Sequence, residues 1–172
     1  MKIFGFAGWS GSGKTTLVKA VIPALIAQGL KVSTIKHTHH NFDIDKPGKD
    51  SFEHRVAGAH EVVITGAARW ALLHENRGEP EPDIETMLAR MSEVDLVLIE
   101  GFKSYSHPKI EVFRPEVGKP MICADDTSIV AVASTISLDV TIPQIDLDDI
   151  EAVADFVINF CELPAERRNG AA

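Results

Sequence analysis

The residues whose types and spacing most directly imply chemistry are Gly8-Trp9-Ser10-Gly11-Ser12-Gly13-Lys14-Thr15, which follow the apolar run Ile3 to Ala7 and open into a helical pattern. Glycines at both ends of this motif and within it let the backbone wrap a polyphosphate, with several N–H groups aimed at the same oxygens where a helix begins. Lys14 would then reach the outer phosphates, and the Thr15 hydroxyl would ligate a magnesium ion.

Ligands of an open parallel sheet collect at the carboxyl ends of its strands, so the polar residues that stand after each strand matter most. Besides the glycine-rich motif, two strand ends qualify: Lys36-His37-Thr38-His39-His40 and Glu100-Gly101-Phe102-Lys103. An acidic group after a buried strand, beside a phosphate loop, is the usual partner of the magnesium ion, which selects Glu100. Asp95 is the rival, but five strand residues at about 3.3 Å each put it roughly 16 Å away, as a strand-entry residue. Gly101 suits close approach of a ligand or of backbone, and Lys36 offers extra positive charge near the phosphates. His37, His39 and His40 read as a polar loop or as a transition-metal site, although no cysteine or helix-spaced acid joins them. Asp43 and Asp45 could reach the magnesium ion or face water. No glutamine stands out for positioning water, and Arg55 and Arg69 are the candidates for an arginine that stabilises phosphate charge.

The elements that must position these groups follow from periodicity. Leu17, Val18, Val21, Ile22, Leu25 and Ile26 recur at helical spacing up to Gln28-Gly29, with Pro23 inside as a possible kink. Leu30 to Lys36 reads as a strand, and His37 to Lys49 as a polar loop. Strand, loop, helix and strand make a βαβ unit, which implies a parallel pair with a right-handed crossover. Asp50 or Ser51 caps a short helix over Phe52 to Ala59. Glu61 to Thr65 and Arg69 to His74 form a hairpin through Gly66-Ala67-Ala68, a departure from strict alternation. Asp83 to Met91 is helical, and Val94 to Gly101 carries the apolar run expected of a central strand beside the first. Lys109 to Phe113, Met121 to Ala124 and Ser128 to Ala133 are further strands. Asp148-Asp149 opens a last helix that buries Val153, Phe156, Val157 and Phe160.

Composition bounds the answer. The 172 residues are 45% hydrophobic and 24% charged, ordinary for one globular domain. A net charge of −8 argues against a surface that tracks nucleic acid or an anionic membrane. A nucleotide must be held by local cations and backbone N–H groups. Cys123 and Cys161 lack metal-ligand spacing and read as buried or incidental thiols of a reducing compartment. The start, Met1-Lys2-Ile3, enters the first strand without a leader or long apolar segment, as in a complete cytoplasmic chain.

Several runs together resemble one family. They are Ala7-Gly8-Trp9-Ser10-Gly11-Ser12-Gly13-Lys14-Thr15-Thr16, Ile35 to His40, Asp45-Lys46-Pro47-Gly48-Lys49-Asp50-Ser51, Ala57-Gly58-Ala59, Arg69 to Leu72 and Leu98 to Lys103. In combination they are similar to the molybdopterin-guanine dinucleotide biosynthesis adaptor family, MobB, over nearly the whole chain. The resemblance implies a GTP-binding, weakly GTP-hydrolysing homodimer acting beside the guanylyltransferase MobA, which attaches GMP to molybdopterin. By position, Ser10, Gly11, Ser12, Gly13, Lys14, Thr15 and Thr16 would surround the phosphates and a Mg2+ ion, with Glu100 at the strand end. Lys36 and His37 would belong to a neighbouring loop, at the nucleotide or toward a pterin or protein partner.

The expected fold class is α/β and P-loop NTPase-like: a mostly parallel sheet flanked by helices, with extra strands as a hairpin or edge extension, in one domain over residues 1–172. No Asn-Lys-x-Asp run is present to read guanine, so the preference for GTP over ATP rests on the resemblance. An ATP-dependent small-molecule kinase and a pure interaction module are the rival readings. The extra strands Arg69 to His74 and Lys109 to Phe113 would leave apolar edges for a dimer to cover.

Overall fold

A computed structural model describes residues 1–38, 42–102 and 105–164. The chain forms two compact units, one of residues 1–38 and 93–172, the other of residues 39–92. In the first unit, β1 (Lys2–Ala7), β2 (Val32–Lys36), β5 (Leu96–Glu100), β6 (Lys109–Val112), β7 (Ile129–Ser134) and β8 (Gln144–Asp146) make a sheet in the order β2-β5-β1-β6-β7-β8. Every neighbouring pair in it is parallel. The second unit holds α2 (Asp50–Val56), an antiparallel hairpin of β3 (Glu61–Thr65) and β4 (Trp70–His74), and α3 (Ile84–Arg90).

Alternation along the strands separates two faces. Phe4, Phe6, Leu96, Leu98, Ile110, Val112, Ala131 and Ala133 face α1 (Lys14–Ala27) and α4 (Ile150–Phe160) in one continuous apolar core. Leu17, Val18, Val21 and Leu25 of α1, with Val153, Ala154, Val157 and Ile158 of α4, complete it. Phe4 meets Phe6, Phe156 and Phe160 edge-on at 5.7 to 6.4 Å between ring centroids, the geometry that the ring quadrupoles favour.

The other face of β6 is charged. Lys109 and Glu111 are fully buried there. The Lys109 ammonium donates to the Tyr105 carbonyl and the Ser128 hydroxyl and lies 3.3 Å from Asp126. Glu111 accepts the N–H groups of Ile122 and Cys123 at 2.7 and 2.8 Å. Two irregular segments of the same unit are thereby tied to the sheet without a helix.

Several expectations change. β1 and β2 share the sheet, but β5 lies between them, so the βαβ unit is not an adjacent pair. Lys109 to Phe113 is no edge: β6 sits between β1 and β7, and its charges are consumed inside. Met121 to Ala124 is turn rather than strand, because its amides serve the Glu111 carboxylate. β8 is additional to the expected strands, having a single apolar residue, Ile145. α2 starts at Asp50 behind Lys49, and neither Asp50 nor Ser51 is its cap residue. Phe160 keeps 44% of its surface exposed at the end of α4. α1 runs through Pro23 on its exposed side, where the carbonyl left without an amide partner can face water.

Candidate functional site

The glycine-rich motif joins β1 to α1 at the carboxyl end of the sheet. α1 begins behind Gly13, whose φ of 94° is left-handed, with no side-chain cap and no acidic residue in the first turn. The contrast with α3 and α4 is chemical: Asp83 accepts the Thr86 amide at the start of α3, and Asp149 that of Ala152 at the start of α4. A carboxylate fills the amide-rich helix start in those two cases, whereas α1 leaves its positive end for an anion.

Gly8 is where backbone approach is tightest. Its φ is 145°, and a Cβ there would lie 2.6 Å from both the Ser12 hydroxyl and the Val112 carbonyl. Ser12 is 2% exposed, and among the described residues its hydroxyl has no hydrogen-bond partner. A buried hydroxyl of this kind inside a cradle of amides fits a polyphosphate ligand. Lys14 folds back over the loop, its ammonium donating to the Trp9 carbonyl at 2.9 Å.

Thr15, the second residue of α1, donates its hydroxyl to Glu100 Oε1 at 2.6 Å. Register explains the meeting: β5 is hydrogen-bonded to β1 with Glu100 opposite Phe6, and to β2 with Glu100 opposite Lys36. The Lys36 ammonium stands 3.7 Å from the same carboxylate oxygen; its side chain is 61% exposed, that of Glu100 14%. A hydroxyl and a carboxylate, both oxygen donors, at the mouth of a phosphate loop suit a hard cation such as Mg2+. Asp95 is at the far end of β5, where it accepts the Lys31 amide at 2.7 Å.

Gly101 follows with φ 100°, and a Cβ on it would come 2.8 Å from His37 Cβ. The neighbour it admits is the chain leaving β2. His37 in turn lies 4.4 Å, centroid to centroid, from Phe102, which itself has φ 48°, a left-handed conformation rare for an aromatic residue. His39 and His40 lie outside the described residues, as does Lys103. Among the described residues no cluster of three or more His, Cys, Asp or Glu could hold a metal ion.

Ser10, Gly11, Ser12, Gly13, Lys14, Thr15, Thr16, Lys36, His37 and Glu100 all belong to the first unit. Asp43 belongs to the second. There its carboxylate accepts from Arg55 at 2.9 Å, and Asp45 does the same, with Glu75 at 3.3 Å. Arg55, one of the two arginines singled out from the sequence, is thus committed to three carboxylates, whose hydrogen bonding, Asp45 foremost, raises its pKa further. The arginine that does stand at the loop is Arg114. A Cβ on Gly13 would be 3.5 Å from its Nε. The strand-end rule applied to Lys109–Phe113 points to it, but the sequence pattern places that strand at an edge, away from the loop.

A hollow of about 430 Å³ opens beside Trp9, lined also by Tyr105, Pro120, Met121, Ile122 and Asp125. Trp9 bounds it with its indole N–H bonded to the Pro120 carbonyl at 2.7 Å. Cys123 and Cys161 are both free thiols, and burial pushes both up in pKa.

Comparison with known proteins identifies the family and agrees with the fold. Residues 3–135 match the family model described as MobB, molybdopterin guanine dinucleotide synthesis protein B. The molybdopterin-guanine dinucleotide biosynthesis adapter protein of Escherichia coli K12 is 45% identical over 163 residues, 93% of either chain. That of Haemophilus influenzae is 41% identical over 161 residues, 92% of this chain and 88% of its own. Among solved structures, a molybdopterin-guanine biosynthesis protein B superposes with a TM-score of 0.73 at 27% identity, covering 92% of this chain and 99% of that one. The MobB homologue of Bacillus stearothermophilus gives 0.70 at 25%, covering 94% and 99%. With a family model matched over residues 3–135 and a relative 45% identical over 93% of the chain, the chain belongs to the MobB family.

Proposed function

We propose that the chain is a GTP-binding adaptor with slow GTPase activity in molybdenum cofactor biosynthesis, working beside the guanylyltransferase MobA that converts molybdopterin to its guanine dinucleotide. The observation that carries the nucleotide reading is the Thr15 hydroxyl on the Glu100 carboxylate, 2.6 Å apart, at the open end of α1. The loop amides and the Ser12 hydroxyl would hold the phosphates, and Lys14 would exchange its Trp9 carbonyl for phosphate oxygens. Thr15 and Glu100 would hold Mg2+, directly or through water, and the ion would neutralise charge developing on the phosphates. Slow turnover suits a chain whose Arg55 guanidinium is already spent on Asp43, Asp45 and Glu75. The adaptor role, the guanine preference and the cytoplasmic setting are supported by family membership. A direct contact with molybdopterin belongs to the same proposal.

Calorimetric titration of GTP and ATP, each with and without Mg2+, tests this. Tighter binding of GTP that needs Mg2+ is expected, lost in Lys14→Ala, and with its Mg2+ dependence reduced in Glu100→Gln. Equal affinity for both bases would remove the guanine assignment, and binding indifferent to Lys14 would remove the site. The hollow beside Trp9 favours a second reading, an acceptor pocket of an ATP-dependent small-molecule kinase. That reading requires phosphate to appear on an added metabolite.

A further inference from the structure

β6 runs beside β1 in the register Ala7 opposite Glu111, so the chain leaving β6 travels along the phosphate loop. Two contacts pin this segment. The Val112 carbonyl abuts Gly8, and the Trp9 indole N–H donates to the Pro120 carbonyl at 2.7 Å. Between these anchors Arg114 leads into a single 3-10 turn, Pro115–Val117, closed by Gly118 in the left-handed region. Its extended backbone carries the side chain back so that Nε lies in ordinary contact range of a Cβ on Gly13. Arg114 is only partly exposed, and its guanidinium makes no hydrogen bond or ion pair among the described residues.

That arrangement is unfavourable as it stands. A guanidinium cannot shed its charge, and here it loses part of its hydration beside a helix start whose N–H groups already make the potential positive. Arg77 of the second unit shows the usual alternative, an arginine spending its donors on the carbonyls of Arg55 and Ala59. An anion at the loop would supply what Arg114 lacks, and a planar fork of donors matches two phosphate oxygens at once.

We infer that Arg114 is a phosphate-binding residue of this site, supplied within the chain from the end of β6 and contacting the phosphate oxygens of the bound nucleotide. The inference rests on the nucleotide reading proposed above. It differs from a charge acting only in turnover, because the contact exists in the resting complex and is read as affinity.

Titration of the full chain with GTP, ATP and inorganic tripolyphosphate, each with Mg2+, tests it on wild type, Arg114→Ala and Arg114→Lys. Arg114→Ala should weaken all three ligands by a common factor of about 10- to 100-fold. Arg114→Lys should recover part of that loss and show a steeper decline of affinity with salt. The melting temperature of the unliganded protein should not fall in either variant. Wild-type affinity in Arg114→Ala overturns the inference, as does a loss confined to one base or a matching loss of unliganded stability. Wild type that binds none of the three ligands overturns the nucleotide reading itself, a different result.

Discussion

His107 is buried against β1 where Gly5 has no side chain; a Cβ on Gly5 would lie 2.7 Å from the imidazole Cδ2. Burial, and then the nearby Lys109 ammonium, lower its pKa from 6.5 to about 4, against a smaller opposing pull from Asp126. Neither ring nitrogen has a hydrogen-bond partner among the described residues. The sign of the pH effect follows. Between pH 6.5 and about 4 the unfolded chain binds a proton that the folded chain refuses, so stability rises with pH through that window and is lost as pH falls through it. The full shift corresponds to about 3 kcal/mol. Urea unfolding at pH 7.5, 6 and 5 should show that decline in wild type and a flatter one in His107→Gln. Parallel slopes in the two proteins would place the acid sensitivity elsewhere. Arg114 shows the limit of reading residues alone: its number in the sequence says nothing until β6 is known to run beside β1.

α4 illustrates how an element encodes itself. Asp149 accepts the Ala152 amide at 2.9 Å, and Val153, Ala154, Val157 and Ile158 form the buried stripe. Asp149→Ala removes the cap and should cost about 1 kcal/mol of stability, seen as a shifted urea midpoint with an unchanged slope. An unshifted midpoint would mean that the cap is redundant there. The same local signals make β1, β5, α1, α3 and α4 legible in the sequence, as they do the Thr15 and Glu100 positions of the candidate site. What is not legible depends on distant partners. β6 reads as an edge because nothing in Lys109-Ile110-Glu111-Val112 announces that both charges are buried and paired. Met121 to Ala124 reads as a strand because its apolar residues are visible in the sequence and the Glu111 carboxylate that turns its backbone is not.

At the scale of the whole molecule, the hairpin bears on assembly. Val63 opposes Leu72 and Thr65 opposes Trp70, so Val63, Trp70 and Leu72 share one face, with exposures of 62%, 67% and 39%. A two-stranded sheet also has two unpaired edges. The homodimer that the family resemblance implies would cover such a surface; of the two segments expected to offer an edge, Lys109 to Phe113 lies inside the sheet, which leaves the hairpin as the candidate. Sedimentation at micromolar concentration should give a dimer for wild type and a monomer for Leu72→Glu. A monomeric wild type, or a variant that remains dimeric, would reject the hairpin as the seam. Among the described residues no helix is long and apolar enough to cross a membrane.

The alternation of cation and anion on β6 has a consequence for how the chain finds its fold. Sheets of plain aliphatic strands tolerate a two-residue slip, since the same face stays apolar. If β6 slipped by two residues, Glu111 would arrive where the fully buried Lys109 meets Asp126, setting carboxylate against carboxylate. Lys109 and Glu111 therefore act as a checksum on strand alignment. Because Arg114 is three residues beyond Glu111, the same checksum fixes which side chain is delivered to the phosphate loop.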